Sequence, residues 1–361
     1  MNFTINAKLL RNALESVSKA VPSKANNPIL GNFLFVGDGS YLTITGSDSN
    51  LTIKEEIPCE TAGDAVIPLS LLELVKVLPD ENVSIDVEDG ACRVSWKNGN
   101  STLPVFNVKD YPEIKTPDTE RSISLSAEIF ASAIAHTVQF TDADELRPAL
   151  SGVFFNDKGE YIDIVASDSK VLAVYKIARE LPDEPFSFII PAAALNAVRN
   201  TIRGASEITI AADDTSILIK FGTTTIIARK IVGKFPNYES IMPKVFNATL
   251  TAKKAEFLDT FKRVSVCASK ASGTLKLSLN AFSSTVESQD LSFNTSAKES
   301  PETFAYEGAD ITIGFRDEYL IKAVSAMEFD AVTIKLNDAR KAVIIECEND
   351  PCTILLMPVQ I

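Results

Sequence analysis

The chain has 361 residues and a formal net charge of −13, because 48 aspartates and glutamates outnumber 35 lysines and arginines. This length predicts two or three domains, and a composition of 45% hydrophobic and 23% charged residues excludes a disordered protein. The sequence has no apolar run long enough to cross a bilayer and no basic segment followed by an apolar one at its start. We therefore expect neither a membrane span nor a signal peptide.

The five cysteines are odd in number and widely spread, and there is one histidine. Sparse cysteines are typical of a reducing cytoplasm, where thiols act as small core residues. We therefore expect a cytoplasmic protein without a metal site or cofactor. The acidic balance also argues against a protein that grips DNA through bulk positive charge.

The first predicted helix follows Asn6, whose side chain is suited to cap a helix N-terminus. Apolar residues recur after it at helical spacing. These are Leu9, Leu10, Ala13, Leu14, Val17 and Val21. Segments 33–36 and 42–45 are predicted strands around a turn at 37–40, which indicates a hairpin, and the alternation over 51–57 extends the sheet.

A second helix of about ten residues is predicted after Pro68. Segments 83–87 and 92–96 alternate apolar and polar residues around a turn at Gly90, so they are two further strands. The order helix, strands, helix, strands predicts an α+β domain with two helices packed on an antiparallel sheet.

The same pattern recurs along the chain. The segment YLTITGSDS at 41–49 reappears as YIDIVASDS at 161–169, an offset of 120 residues. Apolar segments that lead into a predicted helix occur at 66–68, 189–191 and 313–315. We therefore predict three repeated α+β domains, at 1–119, 120–244 and 245–361.

Motifs for common enzyme chemistry are missing from the sequence. There is no phosphate-binding loop, no dinucleotide fingerprint and no nucleophile elbow. His136 lies near the end of a predicted helix, and we interpret it as structural because a catalytic triad needs further partners. The Ser-Asp-Ser motifs occupy equivalent places in two repeats, so we interpret Asp48 and Asp168 as turn residues.

One acidic cluster leaves an alternative open. Asp142, Asp144 and Glu145 follow a predicted helix and could bind a divalent cation through oxygen ligands. A metal-dependent hydrolase is therefore the alternative function, although the cluster lacks the spacing of a dedicated calcium loop. A repeat adhesion module is a third hypothesis, which the absence of a signal peptide disfavours.

Lysines and arginines occur on or beside most of the predicted helices. Singly, each is most simply a solvent-exposed charge, but together they suggest one weakly positive surface that contacts DNA phosphates without reading base sequence. The residues predicted to face DNA are Lys8, Arg11, Lys19, Lys24, Lys76, Arg199, Arg203, Lys262, Arg263 and Lys322.

Short motifs spread over the whole chain resemble those of the bacterial β sliding clamps, the processivity subunits of replicative DNA polymerase. They are PILGN at 28–32, RPALSGV at 147–153, VASDS at 165–169, FPNY at 235–238, IGF at 313–315 and LMPVQI at 356–361. Each motif is short, and the resemblance is specific because they occur in order over a threefold repeat.

The resemblance implies the DNA clamp fold and a non-catalytic, head-to-tail homodimeric ring of six similar domains. Helices line its hole, sheets form its outer surface, and double-stranded DNA of any sequence passes through. A closed ring stays on DNA without strong attraction to the phosphates, so the net charge of −13 is compatible with this function. The implied partners are the DNA polymerase III alpha subunit, the clamp loader and other clamp-motif proteins of replication and repair.

The resemblance also implies a pocket between the second and third domains for short peptides that carry a glutamine and bulky apolar residues. Carried over to this chain, it comprises Arg147 at the mouth with Leu150, Ser167, Leu172, Pro236, Ile241, Tyr319, Leu355, Met357, Pro358 and Val359. The chain departs from the family pattern at Lys170, Val171, Ser240 and Gln360, which leaves the preferred peptide motif open.

Overall fold

The computed structural model describes residues 1–24, 27–117, 122–144, 146–178, 186–202 and 204–361. Six α-helices lie within these ranges, and none of them is long and apolar enough to cross a membrane. They are α1 Ala7–Val17, α2 Ser70–Val77, α3 Ala127–Thr137, α4 Ala192–Thr201, α5 Lys254–Ser265 and α6 Asp317–Ala326.

The same ranges contain 25 β-strands. In chain order they are β1 Asn2–Asn6, β2 Asn32–Asp38, β3 Tyr41–Ser47, β4 Leu51–Pro58, β5 Ala62–Pro68, β6 Asn82–Glu88, β7 Ala91–Trp96, β8 Gly99–Pro104, β9 Ser122–Ser126, β10 Gly152–Asp157, β11 Tyr161–Ser167, β12 Val171–Ala178, β13 Ser187–Pro191, β14 Glu207–Ala212, β15 Ser216–Phe221, β16 Thr224–Arg229, β17 Ala248–Lys253, β18 Thr274–Asn280, β19 Ser283–Asp290, β20 Thr295–Glu299, β21 Ala305–Glu307, β22 Ile311–Arg316, β23 Ala331–Leu336, β24 Val343–Cys347 and β25 Cys352–Leu356. Every strand pair whose register is described is antiparallel, as predicted.

The chain forms two compact units. The first unit comprises Met1–Ala131 and Ile190–Lys230, and the second comprises Ser132–Ile189 and Ile231–Ile361. The sheets of the first unit have the strand orders β1-β6-β7-β8 and β5-β2-β3-β4-β16-β15-β14-β9. Those of the second are β20-β19-β18-β22 and β13-β10-β11-β12-β25-β24-β23-β17-β21. The predicted domain boundary at residue 119 lies outside the described residues.

Helix α1 begins where Asn6 predicts. The Asn6 side chain accepts hydrogen bonds from the amides of Lys8 at 2.9 Å and Leu9 at 3.2 Å, which satisfies two donors that a helix N-terminus leaves free. The predicted apolar face needs two corrections. Val21 lies beyond the helix, which ends at Val17, and the Leu9 side chain is 45% exposed. Leu9 lies about 100° around the helix from the fully buried Leu10, at the edge of the stripe that packs on α2 and β4.

The turns of the first unit follow the sequence signals. The predicted hairpin is β2–β3, and Asp38 closes its turn by accepting hydrogen bonds from two amides at 2.9 and 2.8 Å. Gly90 has φ 79° in the turn between β6 and β7, a conformation that glycine adopts without a steric penalty. Helix α2 has eight residues and is shorter than predicted, because Leu78 precedes Pro79 and is held extended at ψ 146°.

Strands from two sequence repeats pair directly in the long sheet of the first unit. β4 of the first repeat lies beside β16 of the second, with Glu55 opposite Thr224 and Thr52 opposite Ile227. We call this β4–β16 pairing the first junction. The strands of one repeat are therefore divided between two sheets, which the repeat pattern did not reveal.

The second unit contains an equivalent pairing of β12 with β25, which we call the second junction. Leu172 lies opposite Leu355 there. Helices α5 and α6 of this unit pack on each other, and Phe257 and Phe261 of α5 stack with ring centroids 5.5 Å apart. The second junction holds the candidate site.

Candidate functional site

The floor of the predicted pocket is an apolar cluster at the second junction. Leu150, Leu172 and Leu355 are each at most 7% exposed and belong to one cluster with Phe235 and Tyr238. Leu172 and Leu355 come from the paired strands, and Leu150 comes from a 3₁₀ turn just before β10. The structure therefore brings these three predicted residues together.

One wall beside this floor is the loop 235–241. It carries the predicted residues Pro236 and Ile241, both of which are exposed. Phe235 anchors the loop by stacking on Phe154 of β10, with ring centroids 4.9 Å apart. The loop thus presents two apolar side chains to solvent while its first residue is buried in the floor cluster.

A buried polar network also holds this loop. The Tyr238 hydroxyl donates to Asp163 Oδ2 at 2.6 Å and accepts from Asn156 Nδ2 at 3.0 Å. Burial raises the pKa of Asp163, and the Tyr238 hydrogen bond and the Lys176 charge oppose this rise. Sequence reasoning missed all three network residues, and the one available signal was a carboxylate inside the apolar strand β11.

The Ser-Asp-Ser turn borders the floor. Asp168 Oδ1 accepts hydrogen bonds from the amides two and three residues further on, at 2.9 and 2.8 Å, and Asp48 makes the same pair at 2.8 and 2.7 Å. The prediction that both aspartates are turn residues is confirmed. Ser167 Oγ donates to the Val171 carbonyl at 2.8 Å and accepts from the Ser169 amide at 3.1 Å, which leaves one acceptor lone pair beside the floor.

The guanidinium of Arg147 is anchored at three points. Nη2 lies 2.9 Å from Asp142 Oδ2, Nε lies 3.2 Å from Asp144 Oδ2, and Nη1 donates to Ser169 Oγ at 2.5 Å. The Leu146 amide, together with Arg147, holds the pKa of Asp144 below its usual value. Arg147 is therefore fixed next to the Ser-Asp-Ser turn.

This anchoring also bears on the alternative of a metal-dependent hydrolase. The carboxylates of Asp142 and Asp144 both face the Arg147 guanidinium, whose single positive charge offsets one of their two negative charges. Glu145, the third member of the predicted cluster, lies outside the described residues. In the part of the chain that the structure describes, no group of three or more acidic, histidine or cysteine side chains is arranged to hold a metal ion.

The segment after β25 is held at both ends. The Met357 amide donates to the Lys170 carbonyl at 3.0 Å, and the Val359 amide donates to the Gly314 carbonyl at 2.8 Å. Pro358 lies between them and has no amide hydrogen to offer. The backbone of this predicted pocket segment is thus fixed against the Ser-Asp-Ser turn on one side and β22 on the other.

Tyr319 on α6 is half-buried in the same unit. Burial raises the pKa of its hydroxyl, and the negative charge of Asp168 raises it further. The Arg316 guanidinium carbon lies 5.9 Å from the centroid of its ring. All the predicted pocket residues belong to the second unit.

The equivalent place in the first repeat has a different composition. A smaller apolar cluster forms there around Leu30. The residues 120 positions before Leu172 and Val174 of the floor are Thr52 and Lys54. The apolar floor of the second repeat is thus larger than the equivalent cluster of the first repeat.

His136 has a structural environment, as predicted. It is 7% exposed, its Nδ1 lies 2.7 Å from the Ser132 carbonyl oxygen, and its ring centroid lies 5.3 Å from that of Tyr175. No carboxylate is hydrogen-bonded to it within the described residues, so it lacks the partner that a catalytic triad requires.

The basic residues of the first unit that were predicted to face DNA are exposed or half-buried. They are Lys8, Arg11, Lys19, Lys24, Lys76 and Arg199. Lys76 forms an exposed ion pair with Glu73 at 2.8 Å, and the other five make none with any residue that the structure describes. Lys19 and Lys76 line one cavity of about 800 Å³ with Thr201 at the end of α4. Arg203 lies outside the described residues.

Two of the three basic residues predicted in the second unit are engaged by the protein itself. Arg263 binds both carboxylate oxygens of Glu299, at 3.0 and 2.6 Å. The Lys322 ammonium donates to the Gln139 carbonyl and lies 5.1 Å from the centroid of the Phe140 ring. Lys262 is exposed and has no ion pair among the described residues. Lys262 is therefore the stronger candidate for a phosphate contact.

Comparison with known proteins covers nearly the whole chain. Models of the DNA polymerase III beta subunit match at 1–115 (N-terminal domain), 124–237 (central domain) and 239–360 (C-terminal domain). The beta sliding clamp of Synechococcus elongatus is 27% identical over 98% of this chain and 97% of its own length. That of Bacillus subtilis is 25% identical over 100% of both chains.

Solved structures agree in fold. A DnaN sliding clamp (DNA polymerase III subunit beta) from Pseudomonas aeruginosa, bound to griselimycin, matches with a TM-score of 0.95 at 22% identity over 100% of both chains. The beta subunit of DNA polymerase from Streptococcus pyogenes matches with a TM-score of 0.95 at 20% identity, also over 100% of both. The arrangement of helices and sheets is thus shared along the entire chain.

Proposed function

The chain belongs to the DNA polymerase III beta subunit family, and from that premise we propose that two copies close head to tail into a ring around duplex DNA. As a sliding clamp it confers processivity on a DNA polymerase and catalyses nothing itself. Because the tethered polymerase stays close to the primer end, each rebinding is intramolecular. The effective concentration of polymerase at the primer end is therefore higher than its concentration in solution. Each copy contributes three domains, at 1–119, 120–244 and 245–361.

Two open strand edges carry the proposal of a ring. In the first and second junctions, β4 pairs with β16 and β12 pairs with β25. By position in the repeat, β20 is equivalent to β4 and β12, and β8 is equivalent to β16 and β25. β8 and β20 each end a four-stranded sheet, and the outer edge of each has no partner strand among the described residues. Pairing β20 of one copy with β8 of another makes a third junction, and two such contacts close a dimer.

Enclosure also explains the charge. The chain carries a net −13, yet Lys8, Arg11, Lys19 and Arg199 are positive side chains on or just after helices and make no ion pair with a described residue. A few cations of this kind give weak contacts to phosphates that do not depend on base sequence. A ring needs no stronger attraction, because its topology prevents escape while it slides.

We propose that the second junction binds the partners. The floor cluster around Leu172 and Leu355 takes the bulky apolar residues of a partner peptide, and Arg147 and Ser167 orient its glutamine. Apolar clefts with a few fixed polar groups are typical of such sites. The proposed partners are the DNA polymerase III alpha subunit, the clamp loader and other clamp-motif proteins, in the cytoplasm.

Retention on circular DNA tests the proposal directly. The protein is loaded onto a nicked circular plasmid, and the salt is raised until the screening length falls to about 3 Å, which abolishes phosphate attraction. We expect the protein to stay on the circle and to leave once a restriction enzyme cuts it. The control is the same plasmid cut before the salt is raised. Equal loss from the circle and from the linear control would refute enclosure.

A further inference from the structure

We propose that the turn after β19 is the apolar anchor of the third junction, with Phe293 and Leu291 docking on Pro104 and Phe106 of a second copy. The inference rests on the proposed head-to-tail dimer and adds the residues that hold it.

The internal junctions determine the register of the third. In the first junction, Thr52 closes the turn after β3 and pairs with Ile227, which is three residues past Thr224 at the start of β16. Thr295 closes the equivalent turn after β19, opposite Asp290. β8 starts at Gly99 after the same kind of two-residue turn that precedes β16.

Thr295 of one copy therefore pairs with Thr102 of the other, three residues past Gly99. The same antiparallel register places Ser296 opposite Ser101. It also places Phe293, two residues before Thr295, opposite Pro104, two residues past Thr102.

Both internal junctions have a backbone hydrogen bond at this last position. The Arg229 amide donates to the Asn50 carbonyl at 2.8 Å, and the Met357 amide donates to the Lys170 carbonyl at 3.0 Å. At the third junction the donor position is Pro104, which has no amide hydrogen. The polar contact of the internal junctions cannot form there, so another interaction must hold this end of the junction.

The residues at this end are apolar and exposed. Phe293 is 74% exposed, Leu291 is 85% exposed and Phe106 is 43% exposed. Asp290 shapes the turn by accepting a hydrogen bond from the amide of Ser292 at 2.8 Å. Large apolar side chains beside an unpaired strand edge are a liability in a lone chain and a contact surface in a dimer.

The same positions in the first two repeats are polar. Asn50 and Lys170 occupy the place of Phe293, and Asp48 and Asp168 occupy the place of Leu291. Those two turns lie at the first and second junctions, which form within one chain. Only the turn proposed to face a second copy carries apolar residues, and their burial would stabilise the dimer.

Dimer dissociation constants of the full chain test the anchor, measured by sedimentation equilibrium. Phe293→Ser should raise the dimer dissociation constant at least about tenfold. A ring has two third junctions, and each of them buries one Phe293 side chain. The matched control is Phe282→Ser, because Phe282 is 99% exposed in the turn at the other end of β19 and should change the constant by less than about twofold. Equal constants for the two variants, with a dimeric wild type, would overturn the anchor. A wild type that stays monomeric would overturn the proposed dimer instead.

Engineered cysteines test the register. Opposite residues of antiparallel strands have Cα atoms about 4.5–5.5 Å apart, within the range that a disulfide spans. The double variant Ser101→Cys with Ser296→Cys should form a covalent dimer under mild oxidation. The control, Ser101→Cys with Lys298→Cys, is shifted by two residues and should cross-link far less. Preferential cross-linking of the shifted pair would contradict the register, and with it the position of Phe293.

Discussion

Removing the Tyr238 hydroxyl should destabilise the second unit of the clamp. In the variant Tyr238→Phe, the ring keeps its edge-on contact with Phe154, whose centroid is 6.4 Å away. The carboxylate of Asp163 loses the donor that lies 2.6 Å from its Oδ2. Its other oxygen already has no hydrogen-bond partner among the described residues, so the variant leaves a buried carboxylate without any side-chain donor.

The size of the effect follows from this geometry. A hydrogen bond to a charged group contributes about 1.5–3 kcal/mol, and Asp163 is only 3% exposed, so water cannot replace the lost donor. We expect a loss of stability in that range. Because Tyr238 lies in the loop that carries Pro236 and Ile241, the affinity for a partner peptide should fall as well.

The effect should also depend on pH. The pKa of Asp163 is raised, so its protonation favours the folded state, and that contribution is lost as the pH rises through the folded-state pKa. Loss of the Tyr238 hydrogen bond raises this pKa further. The deficit of the variant relative to wild type should therefore be smallest in acid and grow as the pH rises.

Thermal unfolding by calorimetry at several pH values, with hydrogen exchange of strand β11, measures this loss. Tyr161→Phe is the matched control, because Tyr161 lies on β11 and its hydroxyl has no hydrogen bond to any described residue. If Tyr238→Phe unfolds at the same temperature as Tyr161→Phe at every pH, the network has no stabilising role and the reasoning fails.

Three further predictions concern other parts of the chain. Deleting residues 357–361 should abolish most binding of a polymerase peptide in a titration while sedimentation still shows a dimer; unchanged affinity would reject the site assignment. Asn6→Ala should lower the free energy of unfolding in urea by about 1 kcal/mol, because α1 loses its N-terminal cap. The control Asn12→Ala, in the exposed middle of α1, should not lower it. Leu355→Ala should cost about 2–5 kcal/mol by calorimetry, since the side chain is 2% exposed in the floor cluster, and a loss under 1 kcal/mol would mean that the floor is loosely packed.

Local chemistry explains what the sequence by itself determined. The cap at Asn6 and the turns at Asp48 and Asp168 were predictable, because each is made by a side chain that bonds amides two or three residues away. Alternating apolar residues were enough to place most strands of the first repeat. Helical spacing predicted the apolar face of α1 less accurately, because spacing alone does not show that Leu9 lies at the exposed edge of that face.

The peptide site was named from a family resemblance, and the residues alone did not lead to it. Leu172 and Leu355 each look like ordinary strand residues, and only the β12–β25 pairing sets them face to face. The threefold repeat predicted similar domains but did not show that their sheets would join across repeat boundaries.

Tertiary structure alone decided the contacts between distant residues. Tyr238 and Asp163 are 75 positions apart, and the Glu55–Thr224 pair of the first junction is 169 apart. Such contacts leave no periodic trace in the sequence, because each depends on where an entire strand or loop is buried by other elements. The open edges of β8 and β20 are of the same kind, since an edge exists only once the other strands have found their partners.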